Sequence, residues 1–204
     1  MRKLVSFLVT FASACAILFF ASFARAQQID HVDVAGGGST LFSFASNNAS
    51  LAFLPPDQRG GTYTGLSLAV VLKNHFGVFA EGSFRYHKAF YNGYQEYRPV
   101  FYDINGIYSR NVAKKINGEL MAGVGGESLI FYNQFAGCNS SACPASVSSD
   151  HFAVHAGADL RYSFFRRFFL RPEVHYDFIP NNHEFRSDSV LRMGASVGYT
   201  FGSK

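Results

Sequence analysis

Residues 168–178 read FFLRPEVHYDF, and the ionisable side chains fall on every second position: Arg171, Glu173, His175 and Asp177. Leu170, Pro172, Val174, Tyr176 and Phe178 stand between them, and Pro172, which has no amide hydrogen, is expected to break one ladder bond and mark a bulge. In an extended strand a period of two puts the first set on one face and the second on the other. An arginine, two carboxylates and an imidazole on one face suit an active site, a metal site or an ion-paired lining. The rest of the chain separates these readings.

The alternation recurs along the chain, which predicts eight strands over 31–44, 62–72, 76–86, 100–109, 116–130, 151–162, 168–178 and 190–201. Seven of them carry their apolar residues on even numbers, and the last switches to odd, with Leu191, Met193, Val197, Tyr199 and Phe201. The opposite faces hold Asp33, Glu81, Arg85, Asp103, Glu119, Glu127, His155, Asp159, Arg161 and Arg192, besides the four of the opening stretch. Short turns are expected at 73–77, 110–114 and 163–167, and long loops at 45–60, 87–97, 132–149 and 179–188. Strands joined this tightly are antiparallel hairpins, so the pattern is an all-β, eight-stranded, antiparallel up-and-down meander.

Volume decides which face is outside. An eight-stranded barrel has an interior just wide enough for side chains. Small residues dominate the polar faces, with glycine at 37, 65, 123, 125, 157, 194 and 198, whereas Phe, Tyr, Leu and Val crowd the apolar ones, where no charge falls within the strand cores. Large outside and small inside predicts a transmembrane β-barrel with lipid outside and a filled polar lumen, and closure leaves no backbone amide unpaired in lipid. Tyr86, Tyr102, Tyr108, Tyr162, Phe168, Tyr176 and Phe178 near strand ends form an expected aromatic girdle.

The segment before these strands begins with Arg2 and Lys3, continues through a long apolar run and ends Ala24-Arg25-Ala26. That is the form of a secretory signal peptide, 1–26, cleaved before Gln27 to leave a barrel domain over 27–204. Its removal takes Arg2, Lys3 and Arg25, so the formal charge drops from +4 to +1, and no nucleic-acid partner is expected. Cys15 leaves as well, and the remaining Cys138 and Cys143, separated by four residues in an oxidising compartment, are expected to close a loop disulfide.

Across 27–204 the chain resembles the small outer-membrane β-barrels, the OmpA-like and OmpX-like eight-stranded, porin-family-type proteins of Gram-negative-type bacteria. The most specific match is VGYTF at 197–201, where Tyr199 and Phe201 are similar to the terminal signal read by the barrel-assembly machinery. Gly202, Ser203 and Lys204 follow, a departure from the family pattern, in which the phenylalanine ends the chain. The resemblance implies a bacterial outer-membrane location, lipid and lipopolysaccharide around the barrel, and four outward loops that could contact an extracellular protein or glycan.

Three activities fit such a frame. With the turn of 163–167 centred on Phe165, Asp159 faces Arg171 and His155 faces His175, which reads as a lumenal salt bridge beside two imidazoles. Two imidazoles are only part of a ligand set, so no metal and no cofactor are expected. Lipid A-modifying hydrolases of this shape carry a histidine and a serine two residues apart. Here His175 is followed by Asp177 and His155 by Gly157, so no catalytic residue is assigned. A narrow pore for small solutes is the other alternative, opposed by arginines and carboxylates that would plug it. Adhesion or envelope integrity, carried by a structural, surface-interacting barrel, is the preferred expectation.

Overall fold

A computed structural model describes residues 29–44, 58, 60–91, 95–132, 146–180, 182, 184–185 and 188–202. The expected signal peptide, 1–26, and the Cys138–Cys143 pair lie outside the described residues. Among the described residues nine strands form one sheet: β1 (Ile29–Ser43), β2 (Thr62–Leu72), β3 (Phe76–Arg85), β4 (Ala89–Tyr91), β5 (Gln95–Ala113), β6 (Ile116–Tyr132), β7 (Ser146–Phe165), β8 (Phe168–Phe178) and β9 (Ser189–Phe201). All pairings are antiparallel. β3 pairs with β5, and β1 pairs with β9 from Val32↔Phe201 to Ser43↔Val190, which closes an eight-stranded barrel. The three-residue β4 is extra to the ring and lies against the start of β5, Ala89 opposite Tyr97.

The faces follow the parity of the sequence. Val34, Leu66, Leu68, Val78, Ile104, Leu120, Val124, Val154, Leu160, Val174, Met193 and Val197 are exposed on the outer wall, where only lipid could cover them. Asp33, Asp103, Glu119, Glu127, His155, Asp159, Arg161, Arg171, His175, Asp177 and Arg192 are buried inside.

Four sequence expectations need correction. The β7–β8 turn is centred on Arg166 and Arg167, with Arg166 at φ 44°, and the bulge falls between Ser163 and Phe165. The register therefore slips by two: Asp159 pairs with Glu173, His155 with Asp177 and Gly157 with His175. Loop 87–97 and turn 110–114 are shorter than expected because β5 runs from Gln95 to Ala113, so Tyr102 lies well inside its strand and Arg98 and Arg110 join the outer face.

The other two corrections concern the lumen and Pro172. Small residues do not fill the lumen alone. Phe79, Phe101, Phe169, Leu41, Tyr63, Ile107 and Met121 are buried there too. One apolar tier joins Ala69, Val71, Phe79, Ile107 and Met121, and a second, toward the loops, joins Leu41, Tyr63, Phe101, Ala153, Ile179 and Val190. Finally, Pro172 makes no bulge. The register is the same on both sides of it, and the β7–β8 pairing is interrupted between Asp159↔Glu173 and Tyr162↔Leu170. Proline has no amide hydrogen to give to the ladder.

Candidate functional site

Three arginines brace the lumen, each against at least one carboxylate and an aromatic ring. Arg161 on β7 sets Nε 2.7 Å from Asp33 Oδ2 on β1 and donates from Nη2 to Thr200 on β9. Its guanidinium lies 4.6 Å from the Phe169 ring centre. Arg171 on β8 reaches the opposite wall, where Nη2 donates to Ser67 Oγ at 2.6 Å. Its Nε is 3.5 Å from Asp159 and 3.4 Å from Glu173, and Phe79 lies 5.1 Å beneath it. Arg192 on β9 donates to Asp177 at 3.0 Å and to Ser83 at 2.7 Å, contacts Glu81 at 2.5 Å and lies 3.5 Å from Asp103. Phe101 is 5.1 Å from that guanidinium. A buried guanidinium is tolerable only when its charge is paired and its donors are used. The stacked rings fill the space that small residues leave.

The two histidines differ in their surroundings. His175 Nδ1 lies 3.1 Å from Glu81 and its Nε2 lies 3.3 Å from Asp159, so both nitrogens face acceptors and only the imidazolium satisfies both. His155 Nδ1 lies 2.8 Å from Asn105 Oδ1, and Asn105 gives its amide hydrogens to Asp103. That orientation of Asn105 makes Nδ1 the protonated nitrogen of His155. The rings meet edge-on with centres 5.0 Å apart, the contact expected from sequence but reached diagonally across the corrected register.

Two sets of three potential ligands converge here: Asp103, His155 and Asp177, and Asp159, Glu173 and His175. In the first, Arg192 contacts both carboxylates, and in the second, Arg171 contacts both. A divalent cation would have to displace a guanidinium in either case, so these residues suit an ion-pair network better than a metal centre.

The remaining expected residues lie apart from the arginines. Glu119 accepts from Ser109 Oγ at 3.2 Å. Glu127, fully buried near the loop end, accepts from Gln58 Nε2 and from Asn182 Nδ2, the latter at 3.1 Å, which ties two loops to β6. Arg85 packs its guanidinium over Gly61, a residue at φ +86° where a Cβ would collide with it. Tyr199 and Phe201 meet edge-on with ring centres 4.8 Å apart at the short-turn end, and Tyr199 also meets Phe168 edge-on at 5.2 Å.

Sequence reasoning missed one group altogether. Ser149 and His151 lie two residues apart on β7, and Glu184 comes to them from the last loop. Ser149 Oγ donates to Glu184 Oε1 at 2.5 Å, and His151 Nε2 lies 2.9 Å from Glu184 Oε2 and 3.3 Å from Ser149 Oγ. The spacing was legible, but the carboxylate, more than thirty residues on, was not. A hydrolytic relay needs serine and carboxylate on opposite nitrogens of the imidazole. Here both crowd Nε2 and the serine hydrogen goes to the carboxylate, so the group ties a loop to the barrel rim. Beside it, Tyr97, Phe131, Phe185 and Tyr91 pack into a second rim cluster.

The outer wall supplies the last observation. Arg98 and Arg110 stand on the outward face of β5, with Val100, Tyr102, Ile104, Gly106 and Tyr108 between them. Twelve residues at about 3.3 Å each, on a strand tilted about 40°, separate the two cations by roughly 30 Å along the barrel axis, close to the thickness of a bilayer core. The chain has the fold of the small outer-membrane β-barrels. OprG of Pseudomonas aeruginosa, an outer-membrane protein, matches with a TM-score of 0.59 at 12% identity, over 86% of this chain and 98% of that one. Neisserial surface protein A matches at 0.55 and 10% identity, over 84% and 96%. Ail, the attachment invasion locus protein of Yersinia pestis, solved with the heparin analogue sucrose octasulfate, matches at 0.52 and 13% identity, over 84% and 99%. No family model and no curated protein matches the sequence. This outer-membrane barrel fold therefore comes with little sequence likeness, and the polar lumen must be judged on its own residues.

Proposed function

We propose that this chain is an integral protein of the bacterial outer membrane with a structural and surface-interaction role, its lumen plugged and its loop end presented as a contact face. The observation that carries this reading is the set of guanidinium struts: Arg171 spans from β8 to β2, and Arg192 from β9 to β3 and β5. Between them the cavity bounded by Ser67, Glu81, Ser83, Glu173 and Ser196 holds about 10 Å³, room for about one water. Such a lumen passes no solute without breaking buried ion pairs.

Lipid and lipopolysaccharide surround the exposed belt, and Tyr199 and Phe201 suit the signal read by the barrel-assembly machinery. The four loops serve adhesion or envelope integrity through an extracellular protein or glycan. The chain has no catalytic role, in keeping with the geometry at Ser149, His151 and Glu184. Planar-bilayer recording of the purified protein tests the plug. Silence is expected. Steady conductance whose size changes in Arg171→Ala or Asp159→Ala would replace the plugged barrel with the narrow pore.

A further inference from the structure

The interrupted β7–β8 pairing at Pro172 lies in a recess of about 620 Å³ that crosses the outer wall from β5 to β9. Gly118, Ala158 and Pro172 present almost no side chain there, and Leu120, Leu160 and Val174 stand beside them, Ala158 being the rung partner of both Leu120 and Val174. All these residues except Val174, just past the middle of β8, lie in the half of their strands nearer the short turns. One cation borders the recess, Arg110, which is exposed and has no partner among the described residues.

From this arrangement we propose that the recess seats one anionic glycerophospholipid from the leaflet on the short-turn side, an acyl chain lying in the recess and the phosphate on Arg110. The inference rests on the membrane reading above. An arginine on a lipid-facing strand is costly unless its head reaches the interface or an anion. Its guanidinium fork suits phosphate oxygens. The outward side chains around it are apolar and project into lipid, while the acidic residues of its lining, Glu119, Asp159 and Glu173, turn into the lumen toward Ser109 and Arg171, so the occupant must be a membrane component, and the unpaired positive charge selects an anionic headgroup.

The sequence contains no tryptophan, so a single introduced indole reports on one place. Leu120→Trp reports on the recess, Val112→Trp is a second reporter at its edge, and Leu66→Trp reports on a distant part of the belt. Each folded variant is placed in phosphatidylcholine vesicles with rising fractions of brominated phosphatidylglycerol. The indole at 120 or 112 is expected to be quenched at severalfold lower fractions than the one at 66, and Arg110→Gln is expected to erase the difference. Brominated phosphatidylcholine is expected to quench all reporters alike. Equal quenching by phosphatidylglycerol at the recess and at 66, or a preference that survives Arg110→Gln, overturns the proposal. If no brominated lipid quenches any reporter, the membrane reading itself fails.

Discussion

Arg192 Nε lies 3.0 Å from Asp177 Oδ2, and the contact runs diagonally across the β8–β9 ladder because the rung partner of Arg192 is His175. The same guanidinium serves Glu81 and Asp103. Removing it would leave three carboxylates buried without their shared cation. Arg192→Met is therefore expected to destabilise the barrel by about 3–5 kcal/mol, and Arg192→Met with Asp177→Leu by less, because the second change removes one stranded charge. Urea unfolding in detergent measures both. A single-variant loss below about 1 kcal/mol would show that the lumenal pairs do not brace the barrel.

Inward glycines on β6 set how closely β5 can approach. A Cβ at Gly123 would run into the Ile104 carbonyl and Asn105, whereas one at Gly82 meets nothing within 4 Å. Gly123→Ala is expected to lower the folded, heat-modifiable fraction on gels and cost about 1–3 kcal/mol by overpacking, while Gly82→Ala leaves it unchanged. Equal behaviour of the two variants would remove the close β5–β6 approach as a constraint.

The alternation at 168–178 is enough to read both faces of β8, because the register differs from expectation by two residues, an even slip that leaves each side chain on its face. Register itself was not legible. It depended on the turn forming at Arg166 and Arg167, with Arg166 in the left-handed region that seldom suits a bulky side chain, and composition gave no sign of that. Phe79, Phe101 and Phe169 stand on the polar faces in the sequence, but the charges interleaved with them hide the apolar tiers there. The Ser149–His151–Glu184 group joins parts of the chain that only the closed barrel brings together.

Leu66 sits at the middle of β2, 71% exposed and facing outward. In water such a position would accept lysine at almost no cost, because surface changes usually stay within about 0.5 kcal/mol. In a bilayer midplane the same change costs about 2–4 kcal/mol. Leu66→Lys is expected to lose that amount in reversible unfolding from lipid vesicles, while Arg98→Leu, at the end of the belt, changes stability far less. A neutral Leu66→Lys would mean that this wall does not face lipid.

Glu184 gives the loop end a dependence on acidity. Burial works to raise its carboxyl, but the hydrogen bond from Ser149 and the contact with His151 outweigh it and hold the group below its ordinary value. A carboxylate depressed in the folded state stabilises that state above its unfolded value, about 4.3, and the contribution disappears as pH falls through the folded value. The tie between loop 179–188 and β7 is therefore intact at neutral pH and released only in acid. Hydrogen exchange at Phe185, corrected for the intrinsic effect of pH, is expected to stay slow down to about pH 5 and to quicken below about pH 4. Glu184→Gln is expected to exchange faster already at neutral pH and to lose the acid step. If the variant keeps the step, the acid response belongs to another group, and the Ser149–His151–Glu184 contact does not hold the loop.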